Sequence, residues 1–161
     1  MLFVVVGAPG SGKSAVVGAV RARLPGVVVI DMDEFLEPAG ALAAADLTVA
    51  AGHWPAYDAL CLRLVGTVVD SGVNCLLLTP MDPDQVGDRF RQITWAVLDC
   101  PDDTRRERLR HRPMGAATIE DAIADARALR RLGLPTLEST GTLDDTATAI
   151  AAWMHSRRPM P

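Results

Sequence analysis

Five short apolar runs, Leu2–Val6, Val27–Ile30, Val73–Leu78, Ile93–Leu98 and a weaker Leu134–Leu137, alternate along the chain with longer segments rich in Ala, Leu and Arg. Runs this short, with no polar residue on every second position, suit strands buried on both faces. The intervening segments, about Lys13–Leu24, Glu34–Ala51, Ala56–Asp70, Pro83–Arg91, Asp102–Arg110, Ile119–Leu132 and Leu143–His155, have helical composition. Strand alternating with helix predicts an α/β fold: a mostly parallel sheet covered on both faces, with its ligand beyond the C-terminal ends of the strands. At 161 residues and 49% hydrophobic, the chain has material for one domain spanning 1–161. It shows no internal repeat or linker, and its last residues, SRRPMP, read as a frayed tail.

Charge and cysteine usage narrow the function classes. A net charge of −4 argues against a nucleic-acid or membrane surface, while leaving room for a local basic patch. Cys61, Cys75 and Cys100 are odd in number and form no CxxC pair, the usage of reduced thiols in the cytoplasm and not of a zinc site. The run Leu2–Val6 is too short for a signal-peptide core, and no stretch reaches the ~18 apolar residues of a membrane span. A cytoplasmic protein is expected.

Between the first run and the first helical segment stands GAPGSGKS, Gly7 to Ser14, and within it Lys13, the sole lysine of the chain. The stretch fits G-x-x-x-x-G-K-[ST] at every fixed position, with a strand leading in and a helix leading out. Glycines there let successive backbone N–H groups turn into one concavity at the positive end of the helix dipole, which binds polyphosphate. Gly7, Ala8, Pro9, Gly10, Ser11, Gly12, Lys13, Ser14 and Ala15 are therefore the expected nucleotide-binding residues. Lys13 would reach the terminal phosphates, and the Ser14 hydroxyl would complete an octahedral Mg²⁺.

Other phosphate-binding readings fit parts of the same stretch. Gly10-Ser-Gly12-Lys-Ser-Ala15 also satisfies G-x-G-x-x-A, and acids follow at Asp31 and Asp33, as a dinucleotide site requires. The Lys-Ser pair at the helix start, however, is what a triphosphate with Mg²⁺ needs and a pyrophosphate does not. A GTPase that reads guanine through Asn-Lys-x-Asp is disfavoured, because no second lysine exists. The third run, VNCLLLTP, ends without the acid of an ordinary Walker B strand, so metal support falls to Ser14, water and Asp31. A nucleotide-binding ATPase or regulator without transfer stays open beside a kinase.

Taken in order, GAPGSGKS, IDMDEFLE, LDCPDDTRRERLRHRP and LPTLESTGTLDDTATAI resemble the small P-loop kinases, the broad group of shikimate, gluconate and adenylate kinases and chloramphenicol phosphotransferase. The resemblance covers most of the chain. It implies a three-layer P-loop NTPase fold, a five-stranded parallel sheet in the order 2-3-1-4-5 with helices on both faces and a short lid at about 112–118. It also implies transfer of phosphate from ATP with Mg²⁺ to a small acceptor held by the region of about 35–57, in a monomer or homodimer. In that frame Asp33 orients the acceptor hydroxyl and takes its proton, with Asp31 or Asp33 holding a water on the metal. The structural alternative for Asp33 is a helix cap over Phe35 and Leu36. Arg108 would lie near adenine, Arg112 would reach the transferring phosphate, and Gly141 would lie in the loop beside the base. Arg105, Arg108 and Arg112 share one helical face by spacing, and Arg106 and Arg110 another, with ion pairs to Asp102, Asp103 and Glu107 expected for half of them. Arg127, Arg130 and Arg131 are weaker candidates for closing over the phosphates, and Gly115, Ala116 and Ala117 form the lid tip. His53, Trp54 and Tyr57 are the distinctive side chains of the acceptor region, placed to pack in the core or to stack on a ring. The specific acceptor patterns of shikimate, gluconate and polynucleotide-end kinases are incomplete: LLLTPM replaces a glycine run, and Leu36 stands where an arginine would follow Asp33.

Overall fold

Each apolar run becomes a strand of one parallel sheet. In the computed structural model, which describes residues 1–48, 50–110, 112 and 118–157, the strands are β1 (Leu2–Val6), β2 (Val27–Asp31), β3 (Asn74–Thr79), β4 (Ile93–Asp99) and β5 (Thr136–Glu138). They lie in the order β2-β3-β1-β4-β5, all pairs parallel. The helices are α1 (Lys13–Arg23), α2 (Leu36–Ala43), α3 (Trp54–Asp70), α4 (Pro83–Val86), α5 (Asp102–Leu109), α6 (Ile119–Arg130) and α7 (Leu143–Arg157).

The central strand explains why its sequence lacks polar alternation. All five residues of β1 are fully buried. Phe3 and Val5 face α1 and α7, where they meet Val16, Val20, Ile150 and Met154, and Trp153 stands edge-on to Phe3 with ring centroids 5.7 Å apart. Leu2 and Val4 face α3 and join Tyr57, Cys61, Leu62 and Val65. Val6 lies with Val97 under Ala126 and Leu129 of α6. Burial on both faces stabilises the fold at roughly 25 cal/mol per Å² of apolar area removed from water.

The expected helix over Glu34–Ala51 is not one helix. The chain leaves β2 in a 3₁₀ turn, Met32–Phe35, runs through α2, then turns at Ala44 and resumes in a second 3₁₀ turn, Ala51–His53. Ala44 takes a left-handed conformation at φ 49°, and Ala45 N–H returns to the Gly40 carbonyl at 3.0 Å. Gly40 permits this return, since a Cβ there would stand 2.7 Å from the Ala45 carbonyl oxygen. Asp46 then closes the turn by accepting from Thr48 N–H at 2.9 Å and Thr48 Oγ1 at 2.6 Å. An L-residue in that backbone region costs about 1 kcal/mol or more, so Ala44→Gly is expected to raise stability by about 1 kcal/mol. Urea unfolding checks it through the midpoint.

Smaller differences have equally local causes. The predicted Pro83–Arg91 helix stops after one turn because Gly87 takes φ 62°, leaving a 3₁₀ turn over Gly87–Arg89. The last strand starts at Thr136 instead of Leu134, because Pro135 has no N–H for the ladder and contributes only its carbonyl, to Val97 N–H at 2.8 Å. Strands β2, β3 and β4 each run one residue beyond the apolar run, to Asp31, Thr79 and Asp99. Of the expected lid, residues 113–117 lie outside the described residues, as do 158–161 of the expected tail. Among the described residues, no helix is long and apolar enough to cross a membrane.

Candidate active site

The buried polar side chains collect at one end of the sheet. Among the described residues they are Ser11, Lys13, Asp31, Thr79, Asp99, Arg105, Ser139 and Thr146; all but Thr146 lie in the loop after β1, at the C-terminal ends of β2, β3 and β4, or in the segments behind that loop. Burial of polar groups is costly unless each is held, and here most of them are held by the backbone of the loop Gly7–Ser14 and its neighbours or, for Asp99 and Arg105, by each other. A cavity of about 490 Å³ opens at this end between Asp99, Cys100, Asp102, Arg130, Glu138 and Thr140. A hollow of about 550 Å³ lies at the other end of the strands, beside Phe90, Ile93 and Trp95.

The loop's carbonyls are engaged one by one. Lys13 Nζ donates to Gly7 O, and Ser11 N–H donates to Ala8 O at 3.1 Å. Arg105 donates to Ala8 O at 3.3 Å and to Pro9 O. Gly10 O accepts from Arg108 at 3.2 Å and from the Cys100 thiol at 3.6 Å, and Ser11 O accepts from Ser139 Oγ at 2.6 Å. By contrast, the N–H groups of Gly10, Gly12, Lys13, Ser14 and Ala15 donate to no group among the described residues. Since the C=O and N–H of a trans peptide point in opposite directions, a loop held by its carbonyls presents its amides together to an anion.

Glycine is required in this loop for two different reasons, a positive φ at Gly10 (80°) and Gly12 and a close approach at Gly7. Gly12 caps α1 at φ 96°, a region that a side chain disfavours. At Gly7 a Cβ would stand 2.6 Å from Ser11 Oγ and 2.8 Å from the Leu98 carbonyl oxygen. The backbone oxygen cannot rotate away, so Gly7→Ala is expected to displace the loop from β4 and cost about 1–3 kcal/mol. Thermal unfolding reads the stability loss, and nucleotide affinity should fall with it.

The two acids have divided roles. Asp31 ends β2 fully buried; its Oδ1 accepts from Asp33 N–H at 3.2 Å, and its Oδ2 has no partner among the described residues. The cap of the following turn is therefore Asp31, and not Asp33 as the cap alternative had it. Asp33 lies past the strand in the 3₁₀ turn, so the two carboxylates are not strand neighbours; its side chain is exposed and accepts from Ser14 Oγ at 3.2 Å. Burial raises the Asp31 carboxyl above the ordinary range, and the Asp33 charge pushes the same way. Burial lowers the Lys13 ammonium, against the pull of Asp33 and Asp31, with the charges of Arg105 and Arg112 adding to the lowering.

Hard oxygen donors at Ser14, Asp31 and Asp33, including one buried carboxylate oxygen without a partner, fit a Mg²⁺ ion that takes its other ligands from water and phosphate. No cluster of three or more His, Cys, Asp or Glu that could enclose a metal exists among the described residues.

The arginines sort differently from their helical spacing. Arg105 does not share an open face with Arg108 and Arg112: it is fully buried behind the loop and pairs with Asp99 at 2.6 Å. Arg108 ties the loop to Ser139, donating to Ser139 Oγ at 3.0 Å and to Ser139 O, and its side chain is otherwise exposed. Arg112 lies beyond α5 and is exposed. Arg106 pairs with Glu120, and Arg110 with Glu107 at 2.8 Å, on the surface. Arg127 and Arg130 turn to Asp102, at 3.2 and 2.7 Å, and Arg130 also reaches Asp99 at 2.6 Å, so neither closes over the loop. Gly141 precedes the capping Thr142 of α7, two residues beyond Ser139, and packs against Asp145. Tyr57 is core: its hydroxyl donates to Met32 O, and Trp54 stands edge-on to it at 5.8 Å, while His53 is exposed.

Asp99, Ser139 and Thr79 were not singled out in the sequence. Their one signal is position: a polar residue at or just past the end of an apolar run, as at Asp31.

The loop, the helix it caps and a sheet in which β3 separates β2 from β1 define a P-loop fold of the kind found in small kinases. A dinucleotide fold would place β2 beside β1, so the alternative based on G-x-G-x-x-A does not match the topology. Among solved structures, the chain is similar to a tunicamycin resistance protein from Deinococcus radiodurans, at 18% identity over 95% of this chain and 94% of that one, TM-score 0.71. It is also similar to a sugar kinase from a Janibacter species, at 19% identity over 96% and 94%, TM-score 0.66. A shikimate kinase from Acinetobacter baumannii, solved with shikimate, matches at 16% identity over 98% and 94%, TM-score 0.66. No protein-family model and no curated protein sequence matches the chain.

Proposed function

We propose that the protein is an ATP-dependent phosphotransferase that moves the γ-phosphoryl group to a hydroxyl or phosphate of a small molecule. The observation that carries this reading is the loop Gly7–Ser14, with its carbonyls anchored, the amides of Gly10, Gly12, Lys13 and Ser14 unpaired among the described residues, and an exposed carboxylate, Asp33, hydrogen-bonded to Ser14 at its mouth. The fold shared with a sugar kinase and a shikimate kinase supports it.

In this reading the amides of Gly10, Gly12, Lys13, Ser14 and Ala15 hold the phosphates, and Lys13 Nζ exchanges the Gly7 carbonyl for a terminal phosphate oxygen. Ser14 and Asp31, directly or through water, hold Mg²⁺, which when bound neutralises charge on the phosphate oxygens. Arg108, tied in its plane to the loop and Ser139, offers its exposed face to the base, with Gly141 beside it. Asp33 orients the acceptor hydroxyl; the oxygen bonds to the γ-phosphorus, the bond to the β-phosphate oxygen breaks, ADP leaves, and the hydroxyl proton passes to Asp33. Arg112 stabilises the charge of the transferring group. The acceptor lies over α2 and the start of α3, within the region of about 35–57.

Phosphate release from MgATP tests this reading. A kinase withholds water from the γ-phosphate until its acceptor is bound, so the protein alone should bind MgATP yet release little phosphate. Rapid, acceptor-independent release would instead make it an ATPase.

A further inference from the structure

Resting on the phosphate-loop reading, we infer that Arg105, anchored by Asp99 and Arg130, is a positioning residue that sets the loop in its anion-binding form. Arg105 is fully buried, which for a guanidinium carries a desolvation cost that leucine or methionine would avoid. Its Nε–H is buried without a partner among the described residues, so the site is not tuned for pairing alone. The stem of Arg105 lies with Leu109 against the loop: a Cβ at Gly10 would stand 3.0 Å from Leu109 Cγ and 3.1 Å from Arg105 Cγ.

What an apolar residue could not supply is the pair of hydrogen bonds to consecutive loop carbonyls, Ala8 O at 3.3 Å and Pro9 O. Holding Pro9 O on the outer side turns the N–H of the same peptide, that of Gly10, toward the concavity. Ser139 does the same for Gly12 N–H through Ser11 O, while Arg108 holds Gly10 O in the intervening peptide, whose N–H, that of Ser11, is already committed to Ala8 O. Arg105 is itself fixed: Asp99 Oδ1 accepts from it at 2.6 Å, and Asp99 Oδ2 accepts from Arg130 Nε at 2.6 Å. Arg130 in turn donates to Asp102 at 2.7 Å and to Cys100 O at 3.0 Å, so the loop is braced against α6 and the end of β4 through one carboxylate. Donors preset for an anion need no reorganisation when it arrives.

Arg105→Leu separates positioning from packing, because Asp99 keeps Arg130 as its partner and no buried charge is stranded. Equilibrium binding of MgATP and of magnesium tripolyphosphate, which lacks base and ribose, should weaken by the same factor, about tenfold or more, with the thermal midpoint kept. Wild-type affinity for both probes in a folded Arg105→Leu overturns the proposal, as does a loss confined to MgATP. Should Arg105→Leu fail to fold, Asp99→Asn decides: a folded variant with both affinities reduced several-fold supports the brace, and one with wild-type affinities overturns it. A wild-type protein that binds neither probe would instead defeat the phosphate-loop reading itself, since that outcome does not depend on Arg105.

Discussion

Lys13→Ala is expected to lower phosphoryl transfer by about 10²–10³-fold and to weaken MgATP binding, while leaving the fold intact. Lys13 is the chain's sole lysine, buried at the head of α1, and its ammonium rests on the Gly7 carbonyl inside the loop it would serve. Burial lowers its pKa, so in the free protein the charge is held at a cost that a bound phosphate would relieve. Removing a buried ammonium also removes that cost, and the thermal midpoint of the variant should therefore equal or exceed that of the wild type. Loss of binding with retained stability is the combination to be measured, by calorimetric titration beside thermal unfolding. A variant that binds and turns over MgATP as the wild type does would refute the assignment of the loop.

Asp33→Asn should separate binding from transfer: MgATP affinity kept and transfer reduced by about 10²–10⁴-fold. The asparagine carbonyl can still accept from Ser14, whose 3.2 Å bond to Asp33 is the contact that ties this turn to the loop. What is lost is a group able to take a proton from the acceptor. Asp33 is exposed and Asp31 fully buried with its Oδ1 already committed to the Asp33 backbone, which is why the proposed function gives proton acceptance to Asp33 and metal support to Asp31. Single-turnover transfer from MgATP separates the two steps. Transfer undiminished in Asp33→Asn would leave Asp33 as a brace for Ser14 only.

Much of this arrangement was legible in the residues. Strands β1 to β4 could be read because each is buried over most of its length and so carries a largely apolar run, whereas β5 exposes Thr136 and Glu138 and its run is the weakest; the loop could be read because its glycines and the Lys-Ser pair meet one geometric demand at fixed spacing. The position of Asp31 and Asp33 near the loop followed from the end of the second run. The fate of the arginines did not follow. Helical spacing puts Arg105, Arg108 and Arg112 on one side, but it does not say that α5 turns this side onto the backbone of the loop, and the partner of Arg105 is Asp99, an acid the pattern left inconspicuous at the end of β4. Nor does it show that Arg127 and Arg130 are taken up by Asp102 and Asp99, since that depends on how α6 packs. The break after α2 was hidden for another reason: the residue in the left-handed conformation is an alanine, in a run of alanines that composition assigns to helix.

Phosphorus NMR of the protein with MgATP, alone and with pooled nucleosides, nucleotides, sugars, hydroxy acids and aminoglycoside or phenicol antibiotics, tests the proposed activity most directly. The account predicts a new phosphate ester, or a newly extended phosphate chain, together with ADP, in one pool and in no other, absent with Asp33→Asn. Inorganic phosphate released equally in every sample, with no new phosphorylated product, would contradict it.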